Sequence, residues 1–149
     1  MRSVAPVLRG LLAAWLVCIA MFPATAAARG TAGSILRAVN SARGRHQLPA
    51  LRASRGLARA AAGWSAQMAA THVMTHGAFQ TRINHYVRSR VVGENLAYAV
   101  GRCGGGTVVH MWLGSSPHRH VMLSRRFRRV GVGIARASGV CFVTADFAR

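Results

Sequence analysis

The sequence predicts an α+β domain in which helices cover a small antiparallel sheet. Apolar residues recur at helical spacing over 34–45 and 54–72, whereas residue-by-residue alternation is confined to 130–147. Length points the same way: once an export segment is set aside, about 120 residues remain, enough for one core and no second domain.

Residues 1–28 read as a secretory signal peptide: Arg2 and Arg9, an apolar run from Leu11 to Phe22, and an Ala-x-Ala cleavage site at Ala24-Thr25-Ala26 or one residue on. The apolar run is shorter than the roughly 20 residues of a membrane span, so cleavage is expected and no transmembrane helix remains in the mature chain. Cys18 follows Val17 inside that run, where a lipidation box needs a small residue, and is expected to leave with it. Residues 29–149 then form a single domain, expected to be secreted or periplasmic and monomeric.

A first helix is expected over 34–45, with Ser34 as its N-cap and Ile35, Ala38, Val39 and Ala42 on one face. Pro49 makes 47–51 an extended connector. Ser54 caps a second helix to about Thr71 or His72, in which Leu57, Ala61, Trp64 and Met68 share a face. Residues 73–90 read as a loop with at most one helical turn, leading into Val91–Tyr98. The glycines of 101–106 predict a flexible link to a helix over 107–113. Ser116-Pro117 marks the start of a short helix to about Leu123. Val130–Ile134 and Val140–Phe147 form a hairpin around Ala137-Ser138-Gly139.

The chain has 20 Lys plus Arg, all of them arginine, against 2 Asp plus Glu. Without Arg2 and Arg9, 18 arginines face Glu94 and Asp146, a net charge of +16. Such a charge draws a protein to polyanions. The arginines are spread along the chain without a nucleic-acid-binding signature, which disfavours nucleic acid and favours an anionic lipid or cell-envelope polymer as partner. Solubility alone is the competing account, and the cluster Arg125, Arg126, Arg128 and Arg129 around Phe127 reads as a solvated face. Cys103 and Cys141 read as one disulfide closing about 38 residues, which chain entropy values at about 3–4 kcal/mol; two buried free thiols are the alternative.

Little recognisable chemistry stands on residues alone. There is no Gly-x-Ser-x-Gly elbow, and the glycine run lacks the Lys-Ser/Thr of a phosphate loop. His72 and His76 have a ligand spacing if they share a helix, though without an intervening Glu. His118 and His120, two apart, would point to different sides of a helix. A paired-carboxylate mechanism would require Glu94 and Asp146 to converge, and either acid could instead be a structural partner of an arginine.

The ordered set His76-Gly77, Gly93-Glu94-Asn95-Leu96-Ala97, Trp112, His118 with Met122-Leu123, Val130-Gly131-Val132-Gly133 and Phe142-Val143-Thr144-x-Asp146-Phe147 resembles the CAP superfamily. This group comprises cysteine-rich secretory proteins, antigen 5, plant pathogenesis-related class-one proteins and bacterial secreted SCP-domain proteins. The likeness runs from about Ser34 to Phe147, and Asn40, Arg43 and Leu48-Pro49-x-Leu51 fit the bacterial pattern. It implies an α-β-α sandwich with a cleft lined by two histidines and two glutamates. His76, Glu94 and His118 fall on three of those positions, and Ser115 replaces the second glutamate. Two neutral imidazoles, His76 and His118, could hold zinc or another divalent cation, with Glu94 ligating or orienting one of them. The resemblance implies a binding module more than an enzyme, with no catalytic residue assigned. A divalent-metal-dependent hydrolase using His76, Glu94 and His118 is the alternative. A hydrogen-bonded network of the same three residues is the purely structural account.

Overall fold

The computed structural model describes residues 26–149, and side chains from Thr31 onward. Of the expected export segment, residues 1–25 lie outside the described residues, and Ala26–Ala28 begin the first helix. The elements are α1 (Ala26–Arg45), β1 (Arg52–Ala53), α2 (Arg55–Thr71), α3 (Phe79–Tyr86), β2 (Val92–Val100), α4 (Gly105–Gly114), α5 (Ser116–Met122), β3 (Arg129–Ala137) and β4 (Val140–Ala148). The sheet order is β1-β3-β4-β2. β3 and β4 form the expected hairpin, with Ser138 and Gly139 both at positive φ, as a two-residue turn between right-twisted strands requires. β2 pairs antiparallel with β4, whereas the connector supplies a two-residue strand parallel to β3. The sheet is therefore mixed rather than purely antiparallel.

Alternation assigns the sheet faces. Thr144 is buried against Ser65 of α2 through a 3.0 Å hydroxyl pair, and Leu96 and Phe142 pack with Met68. The opposite face sends Ala97, Val130, Val143, Ala145 and Phe147 into the main core with Ile35, Val39, Trp112 and Met122. Helices α2 and α3 thus cover one side and α1, α4 and α5 the other, which is the implied α-β-α sandwich. α2 lies unusually close to β3: a Cβ on Gly131 would sit 2.0 Å from the Ala58 nitrogen, and one on Gly133 2.2 Å from the Ala61 carbonyl carbon. Only glycine allows a helix to rest on strand backbone in this way.

Several boundaries differ from expectation. Ser34 lies inside α1 rather than capping it; its hydroxyl donates to the Thr31 carbonyl and accepts from the Gly105 N–H. A serine that bonds its own preceding turn mimics a cap in sequence. Gly105 begins α4 instead of belonging to a flexible link, because a Cβ there would lie 2.3 Å from the Ser34 carbonyl oxygen. The N-cap position of α5 is held by Ser115, one residue before Ser116. The predicted loop 73–90 contains the two-turn α3, anchored by the fully buried Ile83. Ser54 does cap α2, accepting from Leu57 N–H, and that helix stops at His72 in the left-handed conformation. Cys103 and Cys141 are disulfide-bonded with Cα atoms 6.2 Å apart. None of the helices among the described residues is long and apolar enough to cross a membrane.

Candidate functional site

Glu94 and Asp146, the two acids of the chain, occupy directly opposite positions on β2 and β4. Both side chains are fully shielded from solvent. Period-two geometry aims them toward α2 and α3, where Arg82 of α3 enters between them. Its Nη2 donates to Glu94 Oε2 and to Asp146 Oδ1 at 3.4 Å. Its guanidinium carbon lies 4.5 Å from the centroid of the Trp64 ring, a cation–π seat. The loop in between is pinned by Trp64 Nε1–H donating to the Thr75 carbonyl at 2.7 Å. His76 then places Nδ1 2.7 Å from Glu94 Oε1, so both Glu94 oxygens are engaged.

Burial dominates the protonation chemistry. Desolvation raises Glu94 to about 7, against the opposing attraction of Arg82. Desolvation and then the neighbouring Glu94 charge raise Asp146 to about 8, again opposed by Arg82. The two carboxyls face each other across Arg82, so burial and their mutual repulsion favour protonation within the pair at neutral pH. Burial also lowers the pKa of His118, with a smaller contribution from His76.

A cleft of about 690 Å³ opens beside this cluster. It straddles the outer edge of the sheet: β2 supplies Val92, Gly93 and Glu94, one wall carries His76, Phe79 and Arg90, and the other carries His120, Val121 and Arg126. The edge strand is blunted from the far side, where Trp112 Nε1–H donates to the Leu96 carbonyl at 2.8 Å. Asn95 Nδ2–H, from the same strand, donates to the His118 carbonyl at 2.9 Å.

The sequence-predicted residues are distributed unevenly around this cleft. His76 and Glu94 bond each other and line it. His118 lies half-buried on α5 near His76 but is not among the lining residues, where His120 stands instead. Ser115 occupies the N-cap position of α5 without a side-chain cap bond and does not line the cleft. His72 and His76 share no helix face, because α2 ends between them. Glu94 and Asp146 do converge, but around a common arginine rather than across a substrate-sized gap. Among the described residues, no three His, Cys, Asp or Glu side chains gather to hold a metal. Both oxygens of Glu94 are already bonded, one to His76 and one to Arg82. An arginine partner for either acid is expected from the scarcity of carboxylates, but nothing in the sequence singles out Arg82 as the partner of both.

Residues 36–147 match the family model of the cysteine-rich secretory protein family, CAP. The chain belongs to the CAP family. An extracellular SCP-domain protein of Bacillus anthracis shares 28% identity and a TM-score of 0.70 over 81% of this chain and 41% of its own. The chain thus spans about two fifths of that relative's length. An outer surface protein of Borrelia burgdorferi is similar in fold at 19% identity and TM-score 0.70, covering 77% of this chain and 89% of its own. A cysteine-rich secretory protein of Staphylococcus aureus gives 21% identity and TM-score 0.67, over 80% and 39%. A search of curated protein sequences finds no match. In this CAP domain Glu94 lines the cleft, with Arg82 bonded to it and to Asp146.

Proposed function

We propose that this CAP domain is a secreted binding module whose cleft takes an anionic ligand of the cell envelope, a lipid headgroup or a polymer. The supporting observation is the cleft's charge: Arg90 and Arg126 stand on opposite walls with no hydrogen bond or ion pair to their guanidiniums among the described residues. His76 and His120 add donors, while Glu94 at the base is neutralised by Arg82. The likeness to an extracellular SCP-domain protein supports export. Unpaired guanidiniums on two facing walls favour phosphate or carboxylate over a neutral ligand.

The reading is tested by measuring binding of anionic and neutral vesicles and of a free polyanion at several salt concentrations, for wild type and Arg90→Ala/Arg126→Ala. Salt-sensitive binding of the anionic probes, lost in the double variant, is expected. Equal and negligible binding throughout would sink it. A metal-dependent hydrolase has less behind it, since both Glu94 oxygens are occupied and Ser115 contributes nothing to the cleft.

A further inference from the structure

The central cleft does not stand alone. A concavity of about 420 Å³ adjoins it on the α3 side, sharing Asn84, Ser89 and Arg90 and adding Arg88. Another, of about 540 Å³, adjoins it on the α5 side, sharing His120, Ser124 and Arg126 and adding Arg119 and Arg125. The shared residues differ at the two ends, so the three concavities lie side by side along one face, with the central cleft in the middle, and are together called the trough. The guanidiniums of Arg88, Arg90, Arg125 and Arg126 carry no bond to protein among the described residues; Arg119 donates to the Leu113 carbonyl at 2.9 Å. Among the described residues, Glu94 is the one acidic side chain that lines the trough, and Arg82 is bonded to it.

We infer that this trough binds a linear polyphosphate or polyol-phosphate chain, which threads all three concavities and is gripped at each by arginine. This rests on the anion-binding reading of the central cleft and extends it to the nature of the ligand. Spaced guanidiniums along a groove match a repeating phosphate, each binding two oxygens at once. Two further observations choose among polyanions. The exposed large apolar side chains, Val73, Met74, Tyr86, Tyr98, Val100 and Met111, all lie outside the trough, so nothing beside the arginines would insert into a bilayer. Nor does the trough offer a row of open rings on which successive bases could stack: Phe127 is buried, and Phe79, a single ring on the cleft wall, is partly buried against Leu57 and Ile83.

The test uses the chain as secreted and compares long-chain inorganic polyphosphate, tripolyphosphate, single-stranded DNA and phosphatidylglycerol vesicles as probes across a salt series. Long polyphosphate is expected to bind tightest. Arg88→Ala/Arg125→Ala, one change at each outer concavity, should weaken long polyphosphate by about tenfold and lower the slope of log affinity on log salt by about 1–2. The same variant should leave tripolyphosphate unchanged. Arg55→Ala/Arg59→Ala removes equal charge from α2, which lines none of the trough, and should leave both probes unchanged. Equal weakening by the α2 variant means diffuse attraction and overturns the inference. Tripolyphosphate binding as tightly as the long chain, or tighter binding to DNA or vesicles, also overturns it. Failure of the central reading is separately visible as tripolyphosphate binding that Arg90→Ala/Arg126→Ala does not change.

Discussion

Two guanidiniums are drawn out of water in this domain, and they are treated in opposite ways. Arg43 of α1 is fully buried, yet it meets no acid: Nε donates to the Pro49 carbonyl at 3.0 Å, and Nη1 to the Met122 and Ser124 carbonyls at 2.8 and 3.0 Å. Burial, with the charge of Arg128 adding to it, lowers its pKa. Arg82 receives both carboxyls of the chain. Three neutral carbonyls tie α1, the connector and the end of α5 together through Arg43, whose Nη2 stays buried without a partner among the described residues, whereas the scarce acids are concentrated beneath the cleft. The contrast separates a charge used as a structural knot from one that sets the electrostatics of a site.

The largest effect is expected from Arg43→Ala, which strands three carbonyls and leaves a void; a loss of about 3–5 kcal/mol in urea unfolding is expected, unchanged between pH 5 and 8 because no partner titrates. Arg82→Ala should cost about 2–4 kcal/mol at neutral pH, since it leaves buried carboxyls without a counter-charge. Its deficit should shrink toward pH 5, where both carboxyls are protonated in the variant and in wild type alike. A deficit that stays flat with pH would erase the distinction between the two arginines.

Wild-type stability should itself decline as pH rises. Glu94 and Asp146 are raised from 4.5 and 3.8 to about 7 and about 8, so between these values the folded protein binds more protons than the unfolded chain. The contribution is fully present below about pH 4 and is lost as pH rises to about 8. Asp146→Asn should flatten that slope in thermal unfolding measured from pH 4 to 8, and an unchanged slope would remove Asp146 from the cluster. The smallest effect belongs to Trp64→Phe, which keeps a ring face for Arg82 but loses the bond to the Thr75 carbonyl, about 1 kcal/mol.

What was legible in the sequence was local or repetitive. The Ser54 cap, the apolar stripe of α2 and the alternation of β3 and β4 each need only neighbours a few residues away. Asn40 and Arg43 could be placed by family resemblance, but their function could not. Asn40 brackets Leu51 through its amide, accepting from the Leu51 N–H at 2.8 Å and donating to its carbonyl at 3.0 Å. Ser34 misled because a hydroxyl cannot announce which carbonyl it will bond. α3 escaped because one fully buried side chain, Ile83, anchors it, too little for a periodic signal. The structure bonds His76 to Glu94, whereas Arg82 and His120 reach the site only through tertiary contact, which no local pattern announces.

The glycines that seat α2 on β3 also determine when this site can form during folding. Leu57, Ala58 and Ala61 are made early in the chain, while Gly131 and Gly133 come near its end. Closing so long a loop costs entropy before any contact rewards it. Asp146 enters the cluster only where β4 pairs with β2. The carboxyl cluster therefore depends on strands far apart in the chain, and a chain without β4 in place would lack Asp146 beneath the cleft.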